Sequence, residues 1–359
     1  SKKIIYTIKN PPKLNMLWGR LRNRLERGNI KDYLIKEFPQ KIFKGKIHAV
    51  EHHTAHLFSA FNVSPFKKAA VISVDGFGDF ASTAWGIGEG VDISLDDRVY
   101  FPHSLGIFYM AITQFIGFNN WGDEYKVMGL APYGKPKYLK QMRQIIKLMP
   151  NCKFQLNLDY FCHHKEKIEY VWRNDSPSVK SLFTSKLEEL LGPSRKLGED
   201  LTQHHRDIAH SAQAMYEESF FHIINSIYEK FKIDTLAIAG GCGFNSVANG
   251  KVLLNTPYKK IYVQSAAGDA GGAIGAAYET WHRVGGKKAQ QRCNSHDHAY
   301  WGPSFNDEYC GILLEKEEEK IKKENCTISH ISKLPELISK TATAIANGKV
   351  IGWFQGRME

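Results

Sequence analysis

Cysteine is scarce in this chain and never closely paired. The six in 359 residues (Cys152, Cys162, Cys242, Cys293, Cys310 and Cys326) are scattered, with no C-x-x-C spacing. That excludes a disulfide scaffold and points to a reduced, cytoplasmic setting. Long apolar runs are missing as well. None approaches the roughly 20 residues that a membrane-crossing helix needs, and the first residues lack a signal-peptide pattern, so no membrane role is expected. Glycine turns are plentiful, yet none ends in Gly-Lys-Ser/Thr and none has the dinucleotide fingerprint, which excludes a P-loop and that form of dinucleotide site. Internal repeats are absent. The net charge is +11, with clusters at Lys13 to Arg27, Lys41 to Lys46 and Lys135 to Lys147. No nucleic-acid motif accompanies that diffuse charge, which suits anionic small molecules or plain solubility better than nucleic acid.

What is present is ordinary globular material. Hydrophobic residues make up 43% and charged residues 24%, enough for a core, and the length favours two lobes or domains. Ile4 to Ile8 reads as a strand met mid-domain, and Val350 to Glu359 as a strand and turn, so both ends give the expectation of a fragment. Val71 to Val74 and Thr83 to Ile87 read as neighbouring strands, Thr235 to Ala239 and Lys260 to Val263 as buried ones. Leu105 to Phe118 and Gln203 to Phe231 have helical apolar spacing, and Asp269 to Tyr278 is a small-residue helix suited to packing on a sheet. Gly285 to Asn294 reads as a linker or surface loop and Glu315 to Lys323 as one solvated helix face. Leu334 to Asn347 reads as an amphipathic helix stopped by Gly348. Strand, glycine turn and helix in repetition predict α/β layers, with ligand sites at the carboxyl ends of the strands.

The chemistry concentrates in a few stretches. In Glu51-His52-His53-Thr54-Ala55-His56, a helix would place His52 and His56 one turn apart on one face, close enough to share a metal ion, with His53 on another face. The strand Ala69 to Val74 runs into Asp75-Gly76-Phe77-Gly78-Asp79, where glycines let backbone N–H groups approach phosphates while a carboxylate holds a cation. A second acidic glycine turn is Gly268-Asp269-Ala270-Gly271-Gly272. Two imidazoles with one or two carboxylates suit Fe(II), Mn(II) or Zn(II), and the two-His-plus-carboxylate pattern favours non-haem iron. Gly240 and Gly241 allow close ligand approach, and Asn245 and Asn249 can bond ribose or phosphate oxygens; a strand-to-helix turn needing positive φ explains the same residues. Cys242 has no nearby histidine in sequence to activate it. In Gly122 to Gly134, Lys126 can neutralise a phosphate while Glu124 or Tyr125 orients a substrate, or the segment is an ordered loop with an internal ion pair.

These motifs, in this order, resemble the carbamoyltransferase family that includes the nodulation-factor and antibiotic (nebramycin-type and cephamycin-type) O-carbamoyltransferases. Trp301-Gly302-Pro303 and Gly352 to Glu359 match its pattern too. The resemblance implies an α/β, actin-like ATPase (ribonuclease H-like) two-lobed fold, similar to the tRNA threonylcarbamoyl-transfer proteins. It implies a metal- and nucleotide-binding domain over residues 1–288, with its first segment missing. Residues 289–359 would then be a linker and the start of a truncated domain like the threonylcarbamoyl-adenylate synthases. By the same resemblance His52, His56, Asp75 and Asp269 hold the metal, usually iron. Carbamoyl phosphate and ATP give carbamoyl-adenylate, and the carbamoyl group passes to a hydroxyl of a small-molecule acceptor. His52, His56, Asp75 and Lys126 carry the catalytic roles, and Gly76, Gly78, Asp79, Gly240, Gly241, Asn245, Asn249 and Gly268 the nucleotide contacts. The chain alone is expected to be inactive, and a homodimer is left open. The rival readings are tRNA threonylcarbamoyl transfer at the same site, a non-catalytic nucleotide-binding scaffold, and a sugar kinase with no need for His52 or His56.

Overall fold

From Ala69 to Val74 strand β1 (Lys68–Gly78) is apolar at every position but Ser73, the mark of a strand covered on both faces. Its side chains alternate accordingly: Ala70, Ile72 and Val74 enter one hydrophobic cluster, Ala69 and Val71 another. The structure is a computed structural model that describes residues 2–9, 30–38, 45–166, 168, 170–173, 176–292 and 298–358.

Strand β1 is the centre of a five-stranded mixed sheet. β2 (Ala81–Glu89) and β3 (Asp92–Tyr100) extend it antiparallel on one side, while two parallel strands, Thr235–Ala239 and Lys260–Val263, extend it on the other. Two small hairpins lie between these halves in sequence: β4 (Ile146–Met149) with β5 (Lys153–Leu156), and β6 (Tyr170–Arg173) with β7 (Ser176–Val179). The two parallel strands are therefore β8 and β9. Helix α1 (Lys2–Lys9) and α2 (Ile30–Glu37) precede the sheet, and α3 (His52–Phe61) leads into it. After β3 come α4 (Leu105–Phe115), α5 (Glu124–Leu130), α6 (Leu139–Ile145), α7 (Ser185–Leu191) and the long α8 (Gln203–Phe231). Short helices α9 (Ser246–Asn249) and α10 (Val252–Asn255) separate β8 from β9, and α11 (Asp269–Val284) follows.

The larger cluster is built chiefly from β1, α4 and α8. On the opposite face Leu57, Ala60 and Phe61 of α3 cover Val71, Ala84, Ala237 and Ala239. Helix α11 packs on α3 so closely that a β-carbon at Gly275 would collide with the Ala55 carbonyl. The C-terminal end of α3 is closed by Arg292, whose guanidinium donates to the carbonyls of Gly90, Phe61, Asn62 and Ser64 and lies over the Phe61 ring.

The chain forms two compact units, Ser1–His296 and Asp297–Glu359. The second holds α12 (Asp307–Lys316), α13 (Glu318–Lys323) and α14 (Leu334–Ala346). Gly348, just past α14, has φ +74, the left-handed conformation that suits a helix stop. Among the described residues no helix is long and apolar enough to cross a membrane.

Several sequence expectations need correction. Ile4 to Ile8 is helical, not a strand: the β-branched composition is misleading, whereas Ile4 and Ile8 stand one helical turn apart, and Tyr6 packs edge-on against Phe80 and Phe101. Val350 to Met358 forms no strand beyond a single bridge between Arg357 and Ser304. The charged run Glu315 to Lys323 is broken at Glu317 between α12 and α13. In the expected linker, Gly286–Gln290 is a 3-10 turn, and Arg292 is an anchor rather than a free surface residue. The basic cluster Lys13 to Arg27 lies outside the described residues, as do Cys293 and Asn294.

Candidate metal centre

The first turn of α3 is fixed at both ends of its free N–H row. Glu51 is its N-cap, accepting from the Thr54 N–H and hydroxyl, both at 2.8 Å. Asp79 Oδ2 accepts from the His52 N–H at 2.9 Å. Asp79 reaches that position because it and Phe80, with φ of +46 and +75, form a two-residue turn of left-handed residues between β1 and β2. Glu51 in turn meets Arg98 at 3.3 Å. Burial alone would raise the Glu51 carboxyl; the bonds from Thr54 and the Arg98 charge outweigh it and hold it below its ordinary value.

With α3 so placed, His52 and His56 turn the same edge inward. His52 Nε2 lies 2.8 Å from Asp75 Oδ2, and the two imidazole Nε2 atoms are 3.1 Å apart. His56 Nε2 is 3.5 Å from Asp75 Oδ2 and 3.5 Å from Asp269 Oδ1; His52 Nε2 is 3.8 Å from Asp269 Oδ1. One donor atom from each of the four residues lies within 4.8 Å of all the others. Donors bound to one ion at about 2.0–2.2 Å stand about 3.0–3.6 Å apart, so this spacing fits a shared divalent ion. Two imidazole nitrogens and two carboxylate oxygens are the donor chemistry of Fe(II), Mn(II) or Zn(II).

Asp75 is aligned from the other side. Its Oδ1 accepts from the Gly241 N–H at 3.0 Å, and its carbonyl accepts from the Ser104 hydroxyl, the N-cap of α4, at 3.0 Å. Burial pushes the Asp75 carboxyl up, but its bonds to His52 and His56 prevail and hold it well below the usual carboxylate range. The same bond raises the His52 pKa against the opposing effect of burial. His53 points away from the cluster to the Ser73 hydroxyl at 3.0 Å, and burial lowers its pKa to about 4. The donors open into a cavity of about 580 Å³ lined by polar His52, His56, Asp79 and Asp269 on one part and by Val50, Ala55 and Phe77 on another.

The glycine turns divide into those at the cluster and those supporting it. A β-carbon at Gly78 would overlap the His52 ring, and one at Gly241 would sit 2.8 Å from Asp75 Oδ1. Gly240, at φ +88, passes too close to the Val74 carbonyl for any side chain. No atom lies within 4 Å of where a β-carbon at Gly76 would stand, whereas one at Gly268 would touch the Phe244 ring.

Three expected site residues are engaged elsewhere. Asn245 caps α9 and pairs in both directions with Gln213, each bond 3.0 Å, and Asn249 donates to the Gly243 carbonyl at 2.7 Å. Lys126 forms a 2.6 Å ion pair with Asp123 and does not line the cavity, the internal pair that its sequence also allowed. Glu51, Ser104 and Gly106 escape a reading for ligands, because their part is to hold other groups. Gly106 would crowd the Asp75 carbonyl if it carried a β-carbon.

Fold and site together define a mixed α/β domain with a nitrogen- and oxygen-donor cluster at one end of its central strands. Residues 14–278 match the family model for the carbamoyltransferase N-terminus, and the chain belongs to that family. It is 36% identical to an uncharacterized protein of Synechocystis over 91% of this chain and 50% of that protein. It is 32% identical to the nodulation protein NolNO of Sinorhizobium fredii, over 92% of this chain and 44% of that protein. With the nodulation protein NolO of Bradyrhizobium diazoefficiens the identity is 33%, over 86% and 50%. The chain thus spans about half the length of the curated relatives it matches. A crystal structure of T. kodakarensis HypF overlaps 74% of this chain and 41% of its own at 16% identity and a TM-score of 0.36, too slight a likeness to bear on the fold.

Proposed function

We propose that this chain is the metal- and nucleotide-binding part of an O-carbamoyltransferase, which passes a carbamoyl group from carbamoyl-adenylate to a hydroxyl of a small-molecule acceptor. Family membership supports carbamoyl transfer. The convergence of His52, His56, Asp75 and Asp269 at the mouth of a cavity is the observation that carries the rest. The mixed sheet, with its antiparallel β3-β2-β1 half continued by parallel β8 and β9, supports the actin-like reading.

A divalent ion held by those four residues, iron by preference of the donor set, would offset negative charge on the departing AMP and polarise the carbamoyl carbonyl. The chain's own residues arrange the setting. Asp75, held by Gly241 and the two histidines, stays ionised and cannot swing into the space of a ligand. Gly76 leaves room beside it for a phosphate, while the Phe77 and Val50 part of the cavity offers an apolar wall to an acceptor. Asp79 keeps one oxygen on the α3 backbone and lines the same cavity.

The test supplies the chain, extended over the full length of its curated relatives, anaerobically with Fe(II), carbamoyl-adenylate and a panel of polyhydroxylated acceptors, read by mass spectrometry as gain of one carbamoyl group. Transfer by the wild type, lost in Asp269→Asn, is expected. Asp269 is 78% exposed, so this variant removes a donor charge without disturbing the core. Equal transfer by both proteins would overturn the role given to the cluster.

A further inference from the structure

Beneath the Gly240–Asn245 turn, a long helix presents polar side chains to the protein interior, where an unpaired polar group is costly. Gln213 and Tyr216 of α8 are only 4% and 2% exposed. The Tyr216 hydroxyl donates to the Cys242 carbonyl at 3.1 Å. Gln213 holds Asn245 by its two reciprocal bonds, accepts from the Tyr109 hydroxyl at 2.8 Å and donates to Glu217 at 2.9 Å. Glu217 is fixed in turn by Lys251 at 2.7 Å. Gln213, Tyr216 and Glu217 share one helix face by their spacing of three and four residues. The Tyr216 bond falls on Cys242, next to Gly241, and the Gln213 bonds fall on Asn245, at the end of the same turn.

That turn has one donor aimed at the site, the Gly241 N–H on Asp75 Oδ1. Holding Oδ1 decides where Oδ2 points, and Oδ2 is the atom that faces His52 and His56. We propose that Gln213 and Tyr216 are positioning residues for the Asp75 carboxylate, fixing from α8 the turn whose Gly241 N–H sets its orientation. They touch neither the donors nor the cavity and act only through the backbone. The inference rests on the metal reading of the cluster.

Ser219 separates this role from general support of α8. It is fully buried on the same helix and, among the described residues, bonds only its own helix, at the Met215 carbonyl. The experiment titrates Co(II) into the wild type, Tyr216→Phe, Gln213→Met and Ser219→Ala, following visible absorption for affinity and coordination and the thermal midpoint for stability. Loss of a partner bonded directly to a ligand weakens metal binding by about 10- to 100-fold, and Tyr216 acts on Asp75 through the turn, one contact further out. About the lower figure, with an altered absorption band, is expected for Tyr216→Phe, and wild-type binding for Ser219→Ala. Gln213→Met should weaken binding further, and failure of that variant to fold leaves the single-hydroxyl Tyr216→Phe comparison decisive. Wild-type affinity and spectrum in Tyr216→Phe would overturn the proposal while leaving the metal site intact. No Co(II) binding by the wild type would overturn the metal reading, and this inference with it.

Discussion

Gly78 stands so close to the His52 imidazole that a β-carbon there would overlap the ring. Gly78→Ala must therefore turn His52 away from Asp75, and metal affinity is expected to fall about tenfold or more, with little change in thermal midpoint because His52 is partly exposed. Wild-type affinity in that variant, by Co(II) titration, would show that the ring has another way to bind. A second residue-scale expectation concerns pH. His163 is buried among Phe77, Phe101 and Phe161, donates from Nε2 to the Pro102 carbonyl, and finds no partner for Nδ1 among the described residues. Burial lowers its pKa to about 4 from an ordinary 6.5. The unfolded chain then binds the proton more readily, so the stability from neutral His163 is complete above pH 6.5 and lost as pH falls toward 4. The loss is about 3 kcal/mol by linkage. Urea unfolding across that window should show a shallower slope for His163→Phe than for the wild type, and equal slopes would contradict the assignment. At this scale the sequence was only half legible. The spacing of His52 and His56 and the carboxylates near the end of β1 and at the start of α11 pointed to the residues that the fold brings together. That Asn245 would face Gln213, 32 positions away, depends on packing that no local pattern records.

Helix α3 carries two donors, and its place depends on how it meets α11. The contact is backbone against backbone at Gly275, which has no room for a methyl group beside the Ala55 carbonyl. Helix propensity alone says that Gly275→Ala should stabilise by about 0.5–1 kcal/mol. The clash reverses the sign, and a net loss of about 1–3 kcal/mol is expected in urea unfolding; a gain in stability would mean that the helices stand further apart. Elements with strong, unambiguous patterns were readable to the residue: β8, β9 and α8 have the bounds that their apolar runs and spacing predict. The small residues of α11 promised close packing, but the partner turned out to be α3. Short segments misled because β-branched residues near Ile4 and Val350 look like strands when their surroundings are ignored.

For the molecule as a whole, sheet order and chain connection bring four distant segments to one spot: the start of α3, the end of β1, the turn after β8 and the start of α11. The motif order disclosed that gathering, since each motif sits at an element boundary; its geometry needed the fold. The central claim is that the gathered donors bind one ion. It is tested most directly by anaerobic reconstitution with Fe(II), followed by metal analysis of the wild type and Asp269→Asn, with and without a non-hydrolysable ATP analogue. The account predicts about one iron per wild-type chain, held more tightly with the nucleotide and much less in the variant. Iron absent from both proteins, or retained equally by both, would contradict it.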